Sequence, residues 1–377
     1  MGAVARRGTT STNTAAAMAG ALPRPAAAPG PRQELSPAAR AAMAKGLPYQ
    51  TQRAYSGDWN RFEQWAVEAG FSPLPATAET VVEYATWCTT TPRPRTGRPY
   101  KLSSIERALA AVVVAHQAAS LTPPDLTGAR LVLRGYEAAL KGTPHGRIRK
   151  AGAAVPRVLR QLVAATDTTT VRGLRDIAAM TTGFALAARS SEAALLSWED
   201  TVDTATDEGV LYDVHRPKVR HDQPLGVPYG AYPSTCPVRA YRAYRGALLA
   251  RGHEPTGPFL VRIDRHDRIN PPMYRHGKRI GDPTGRLTAE GVAEIVTRAA
   301  VRAGLARPDA VLPDGAARWT GHSLRRGYAE ATRQAKKDPI EAARHGGWAD
   351  GSPTFAGYHD RAAAFDEELN PLYGIGL

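Results

Sequence analysis

Residues 344–360 read RHGGWADGSPTFAGYHD, and residues 321–328, a short way upstream, read GHSLRRGY. In the first stretch His345, Trp348 and Tyr358 stand among glycines, a serine and a proline. In the second, His322 and Arg325 lie three positions apart and so share one face of a helix. Core aromatics ordinarily sit among aliphatic residues, and Tyr358 does not. Its small neighbours mark a side chain that reaches toward a partner instead of filling a core.

The chain around these stretches has 377 residues and carries a net charge of +14, with an isoelectric point near 10.0. Its 43% hydrophobic content suits a globular protein of two or three domains, and abundant alanine with few aromatics favours helix. So large a basic excess points to a polyanionic partner, of which nucleic acid is the commonest. Cys88 and Cys236 have no partners at metal-ligand spacing, so no metal and no cofactor are expected, and a reducing compartment fits. No apolar run reaches the roughly 18 residues a membrane span needs. The first 30 residues imitate an export signal through Arg6, Arg7 and the weakly apolar run Ala15–Leu22. That run is short and Ala-rich, so it reads as a tail, and the protein is expected in the cytoplasm.

Four segments follow from composition. Residues 1–46 hold six Lys or Arg against one Glu and too little apolar content for a core, which predicts a disordered basic tail. Residues 47–142 read as four helices. Tyr55, Trp59, Phe62 and Trp65 make the core stripe of the first, which stops at Gly70, and Thr77 caps the second. The loop before the third carries Arg93, Arg95, Arg98 and Lys101 with no acid. Residues 143–156 form a basic linker, within a run from Lys141 to Arg160 that includes Arg147, Arg149, Lys150 and Arg157. Residues 157–377 read as mostly helical. A helix break is expected near Gly183, two short strands flank the turn that holds Lys218, and a helix carries Arg239 and Arg242. Leu287–Glu290 is the pattern of a capping box. The fold class expected is mainly α with a small β-sheet.

Arg189 in the segment ARSSE, Lys218 in HRPK, His322 and Arg325 in HSLR, Trp348 in GGW, and then Tyr358 are each unremarkable alone. Arg189 would be satisfied by Glu192 one turn on, and a lone His beside an Arg is commonly structural. In this order they resemble the tyrosine recombinase, or phage integrase, family, over roughly residues 47–365. The first arginine motif, the His-x-x-Arg motif, the His-or-Trp position, the hairpin lysine and the tyrosine all find counterparts. The interval from Trp348 to Tyr358 is one residue longer than the family's usual gap, and the Gly/Ser/Pro segment ADGSP can absorb it. His345 also stands available for the His-or-Trp position, with Trp348 at the better distance. Tyr328 and Tyr373 are the competing tyrosines.

The resemblance implies an all-α core-binding domain followed by a catalytic domain, and a site-specific DNA recombinase that works through a phosphotyrosyl link. It implies double-stranded DNA as partner, a tetramer on two sites, passage through a Holliday junction and, for some members, an accessory factor. The residues suit that chemistry. Two guanidiniums, Arg189 and Arg325, can clamp the charge that builds on a phosphodiester under attack. His322 can take the tyrosyl proton, Lys218 can protonate the leaving oxygen, and Trp348 can line the pocket. Arg93, Arg95, Arg98, Lys101, Arg147, Arg149, Lys150, Arg239 and Arg242 are the expected backbone contacts. The C-terminal segment, with Phe365 and Leu369, would either dock on a neighbouring protomer or cover its own domain. A type IB topoisomerase shares this chemistry, and a telomere-resolvase-like enzyme and a non-catalytic DNA-binding relative are further readings.

Overall fold

The computed structural model describes residues 46, 49–94, 96–143, 146, 151–204, 208–216, 223–306, 319–362 and 372. Arg95, Arg147, Arg149, Lys150 and Lys218 lie outside the described residues, as do the basic tail to residue 45, Phe365, Leu369 and Tyr373. The chain divides into two units, Met1–Ile148 and Arg149–Leu377. Mainly helical, with two small antiparallel sheets, it has the fold class its sequence leads one to expect.

The first unit holds helices α1 (Tyr49–Glu68), α2 (Ala78–Thr90), α3 (Leu102–Ala118) and α4 (Thr127–Leu140). The aromatic stripe of α1 is core: Trp59 and Phe62 are fully buried, and Phe62 meets Tyr84 of α2 edge-on at 5.0 Å. Full burial of a side chain like Phe62 contributes about 1.5–3 kcal/mol. Asp58, buried one position before the indole, accepts from Arg61 at 3.0 Å and Arg107 at 2.6 Å. Helix α1 stops where Gly70 takes φ +78 and Phe71 N–H returns to the Ala66 carbonyl at 2.8 Å, a glycine-terminated helix end. Thr77 caps α2 by accepting from Thr80 N–H.

In the second unit α5 (Pro156–Ala164) opens on a proline at its first turn, so Arg157 and Arg160 sit on a helix and not in a linker. Helix α6 (Val171–Ala185) runs through Gly183, where a break is expected from sequence. The glycine there permits close approach: a Cβ would lie 3.0 Å from Leu324 Cδ1 on a facing helix. The chain turns three residues later instead, with Ala187 at φ +47, and enters the short α7 (Ser190–Leu195).

Strands β1 (Thr201–Asp203), β2 (Gly209–Val214) and β3 (Gln223–Pro228) form an antiparallel sheet in that order, with Tyr212 opposite Leu225. Strand β2 buries Val210, Tyr212 and Val214 and exposes Leu211 and Asp213, the alternation of a half-buried strand. Beyond α8 (Pro237–Ala250) come a second hairpin, β4 (Met273–Arg275) with β5 (Lys278–Ile280), and α9 (Ala289–Arg302). Sequence reading misses β1, β4 and β5, which are three residues each and too short to show a period. Thr288 caps α9 through Gly291 N–H at 3.1 Å. The third residue of α9 is therefore Gly291, which has no side chain to return a bond, so the expected capping box from Leu287 to Glu290 does not form. Helices α10 (Gly321–Gln334), α11 (Pro339–His345) and α12 (Pro353–Ala362) complete the unit. Among the described residues no helix is long and apolar enough to cross a membrane.

Candidate active site

Three chain turns converge on one spot in the second unit. The first is the Leu186–Ala188 turn, whose exit residue Arg189 precedes α7. Glu192, on the first turn of α7, accepts from the Arg189 backbone N–H at 2.9 Å and from its Nη1. The second is the start of α10, where Thr320 caps the helix and places His322 in its first turn and Arg325 one turn on. The third is the glycine pair Gly346–Gly347 after α11, which leads to Trp348 and on to α12.

His322 Nε2 and the Tyr358 hydroxyl are 2.7 Å apart. Burial raises the pKa of Tyr358 above its ordinary value, and the guanidiniums of Arg325, Arg326 and Arg189 pull the other way. Partial desolvation, then Arg325, Arg189 and Arg326, lower that of His322, a residue that is still exposed as a whole. Both shifts favour the uncharged forms, and in the tautomer that carries its proton on Nδ1, Tyr358 donates and Nε2 accepts. That is the arrangement a base needs before it takes a proton.

Arg325 is buried to 1% exposure, the largest charged side chain so enclosed. Its Nη1 donates to the carbonyls of Ala187 at 2.5 Å and Gly346 at 2.6 Å, and its Cζ lies 3.5 Å over the Trp348 ring. Its Nη2 is buried with no hydrogen-bond partner. Burial, with the charges of Arg189 and Arg216, brings its pKa down to about 9. A guanidinium holds its proton in water far above neutrality, so the shift measures how poorly this cation is compensated. Glu192 is the buried carboxylate opposing Arg189, Arg216 and Arg325. An orphan donor and uncompensated positive charge together make a place for an anion.

Arg216, two residues beyond β2, escapes sequence reading because a lone arginine beside a hairpin reads as a solvated charge. It is 5% exposed. Its Nη2 donates to the carbonyls of Leu186 at 3.0 Å and His345 at 2.9 Å, and its Nη1 to Gly346. Gly347, at φ +64, clears its path; a Cβ there would stand 2.3 Å from Nη1. Arg216 and Arg325 thus share the Gly346 carbonyl and fasten the first turn to the third. Arg326 is a second arginine that sequence reading passes over. It pairs with Glu330 at 2.7 Å, donates to the Ala151 carbonyl and lies 5.9 Å over the Tyr358 ring.

The structure brings Arg189, His322, Arg325, Trp348 and Tyr358 together. Tyr358 departs from the sequence expectation in one respect: its ring is buried, within a cluster of Ala187, Ala329, Ala342, Ala343, Trp348 and Phe355. Alanines from other segments pack about the ring, and its hydroxyl meets His322 Nε2. His345 has another occupation, with Nε2 against the Ala185 carbonyl at 2.8 Å and its ring stacked on Tyr328 at 5.2 Å. The Tyr328 hydroxyl donates to Ala342 O at 3.3 Å, and burial pushes its pKa up to about 12. Of the expected backbone contacts, Lys101 is exposed and Arg98 is half-buried beside the loop closed by Arg93 N–H and the Arg98 carbonyl. Arg239 is exposed over Tyr229 at 5.1 Å. Arg242 is already paired with Asp203 at 2.8 Å.

No family model matches the sequence. An integrase/recombinase XerD homolog of Selenomonas ruminantium is 27% identical over 315 residues, 83% of this chain and 82% of the relative. A lambda integrase fragment, solved as a dimer bound to a COC′ core site, superposes with a TM-score of 0.51 at 14% identity, over 85% of this chain and 92% of that one. A Tn1549 transposon integrase fragment in complex with transposon right-end DNA also gives 0.51, at 12% identity, over 87% and 98%. In fold and site the chain resembles the enzymes of the tyrosine recombinase class, which includes the phage integrases.

Proposed function

We propose that the protein is a site-specific recombinase that breaks and rejoins duplex DNA through a 3′-phosphotyrosyl link on Tyr358. The observation that carries this reading is the 2.7 Å contact of the Tyr358 hydroxyl with His322 Nε2, beside a buried Arg325 with an unpartnered donor. In the cleavage step the tyrosyl oxygen forms a bond to phosphorus and the bond from phosphorus to the 5′-oxygen breaks. His322 Nε2 takes the tyrosyl proton. Arg189 and Arg325 hold the two non-bridging oxygens, whose charge grows in the transition state. Trp348 backs the Arg325 guanidinium. Lys218 delivers a proton to the departing 5′-oxygen. Rejoining is the same step reversed, with a 5′-hydroxyl as nucleophile, so the bond energy is kept throughout. Since Tyr358 meets His322 of its own chain, each protomer cleaves with its own tyrosine.

The site takes one phosphodiester, and recombination exchanges four strands. Four protomers on two sites, acting through a Holliday junction, meet that count. The relatives solved with core-site and transposon-end DNA support duplex DNA as the partner and assembly with further copies of the chain. Gene integration or excision by a mobile element, with an accessory DNA-bending factor, fits the same reading, as does a cytoplasmic location. The test uses nicked suicide duplexes, which trap the covalent intermediate by letting the cleaved end diffuse away. Duplexes selected from a randomised pool for binding should yield a covalent protein–DNA adduct and multimers that bridge two duplexes. Relaxation of supercoils by isolated monomers, with no bridging, would favour a topoisomerase instead.

A further inference from the structure

The hairpin β4–β5 stands apart from the cores of the second unit. All six of its strand residues are exposed, Tyr274 by 66%. The eight residues 273–280, MYRHGKRI, include Arg275, Lys278 and Arg279 and no acid. None of these three cations forms an ion pair among the described residues. A two-stranded ribbon with no buried face is marginal in water, so something else must hold this one in shape. Its tip and its stem both do. At the tip His276 and Gly277 have φ +50 and +73, the paired positive values of a tight turn that matches strand twist. At the stem Arg262 Nη2 donates to Asn270 Oδ1 at 2.7 Å and to the Pro271 carbonyl at 3.1 Å. Asn270 Nδ2 in turn donates to the Pro283 carbonyl at 3.2 Å. Both ends of the hairpin are therefore tied to its base.

We propose that the β4–β5 hairpin is a second DNA-contacting element, a basic ribbon that enters the major groove. This rests on the reading of the protein as a DNA recombinase. The major groove, about 12 Å wide, admits a two-stranded ribbon. Arg275, Lys278 and Arg279 supply the charge that phosphates or guanine edges attract, and Tyr274 supplies an aromatic face beside them. Each strand presents its side chains alternately to opposite faces, so a ribbon seated edge-first directs cations to both walls of the groove.

The experiment compares the wild-type chain with the triple variant Arg275→Ala, Lys278→Ala, Arg279→Ala on one selected duplex, by salt titration and by dimethyl sulfate protection of guanine N7. The substituted side chains are exposed, so an unchanged melting temperature verifies that the fold is intact. The ribbon predicts that the salt slope of binding shrinks by about 2.7, or 0.9 for each of three contacts, and that affinity falls on the order of 100-fold at 0.15 M salt. It also predicts that a defined block of N7 protection disappears in the variant. An unchanged slope with an unchanged protection pattern overturns the proposal while leaving the recombinase reading intact. Failure of the wild-type chain to bind any duplex overturns that reading first. Intact duplex binding, with loss only of binding to anionic vesicles or of self-association, would assign the ribbon to a membrane or a second copy and equally overturns the proposal.

Discussion

Replacing Gly346 by alanine should disable the site through space alone. Gly346 has φ −76, a value any residue adopts, so the backbone does not resist the change. A Cβ there, however, would stand 1.8 Å from Trp348 Cζ3 and 2.2 Å from Cε3. The indole has to swing away, and with it goes the surface on which Arg325 rests at 3.5 Å. Forcing an extra methyl into a packed site costs about 1–3 kcal/mol. Loss of a largely desolvated cation–π contact adds about 1–2 kcal/mol. The sum, about 2–5 kcal/mol, is a large part of a domain's usual 5–15 kcal/mol, and the fold should survive it. A shift of the Arg325 clamp by about 1 Å would then slow strand cleavage on the order of 100-fold. Urea denaturation measures the first effect, and single-turnover cleavage of a suicide duplex the second. Gly351→Ala is the companion: Gly351 has φ +70 and no atom within 4 Å of its would-be Cβ, so strain of about 1–2 kcal/mol is its whole effect and cleavage stays near wild type. The reasoning fails if Gly346→Ala loses less than about 0.5 kcal/mol, the usual range for an innocuous surface change, and cleaves at the wild-type rate.

The lowered pKa values of His322 and His345 mean that the unfolded chain takes up protons before the folded one does. Stability from these two groups is therefore full above the ordinary histidine value of about 6.5 and is lost as pH falls below it, through the folded values. Denaturation between pH 7.5 and 5 should show that slope, and His322→Gln or His345→Gln should each reduce it; slopes equal to wild type in both variants would contradict the assignment. Arg216→Met, which removes one guanidinium from three buried carbonyls, should cost about 3–5 kcal/mol. Arg242→Ala, which breaks a half-exposed pair with Asp203, should cost under about 1 kcal/mol, and comparable losses in the two melts would be inconsistent with a buried knot at Arg216. Lys218→Ala should slow cleavage of an ordinary phosphodiester and be rescued by a 5′-bridging sulfur, a leaving group that needs no proton; equal defects on both substrates would remove Lys218 from that role.

What the sequence discloses and what it hides divide along physical lines. The α1 stripe is legible because four aromatics at helical spacing have only one economical place to go. His322 and Arg325 are legible because an i, i+3 pair fixes their geometry before any tertiary contact exists. Arg216 is not, since its three carbonyl partners come from residues 30 to 130 positions away in the chain. The difference between His345 and Trp348 likewise lies in contacts at a distance: the Ala185 carbonyl and the Tyr328 ring engage the first, and Arg325 the second. Gly183 misleads because close helix approach and helix termination ask for the same residue. Tyr358 misleads in a related way: its small sequence neighbours read as an open loop, while the alanines that bury its ring, Ala187, Ala329, Ala342 and Ala343, come from elsewhere in the chain.

The central claim is that Tyr358 carries the covalent link, and Tyr358→Phe tests it most directly. The substitution keeps the ring within its cluster and deletes one oxygen. Stability should fall by about 1 kcal/mol, for the lost hydrogen bond to His322, while duplex binding persists. Wild-type protein trapped on a suicide duplex and digested with protease should yield a DNA-linked peptide containing Tyr358, and the Phe variant, folded and bound to the same duplex, should yield no adduct. Adduct formation by Tyr358→Phe at near the wild-type rate, or a linked peptide containing Tyr328 or Tyr373 instead, would contradict the account.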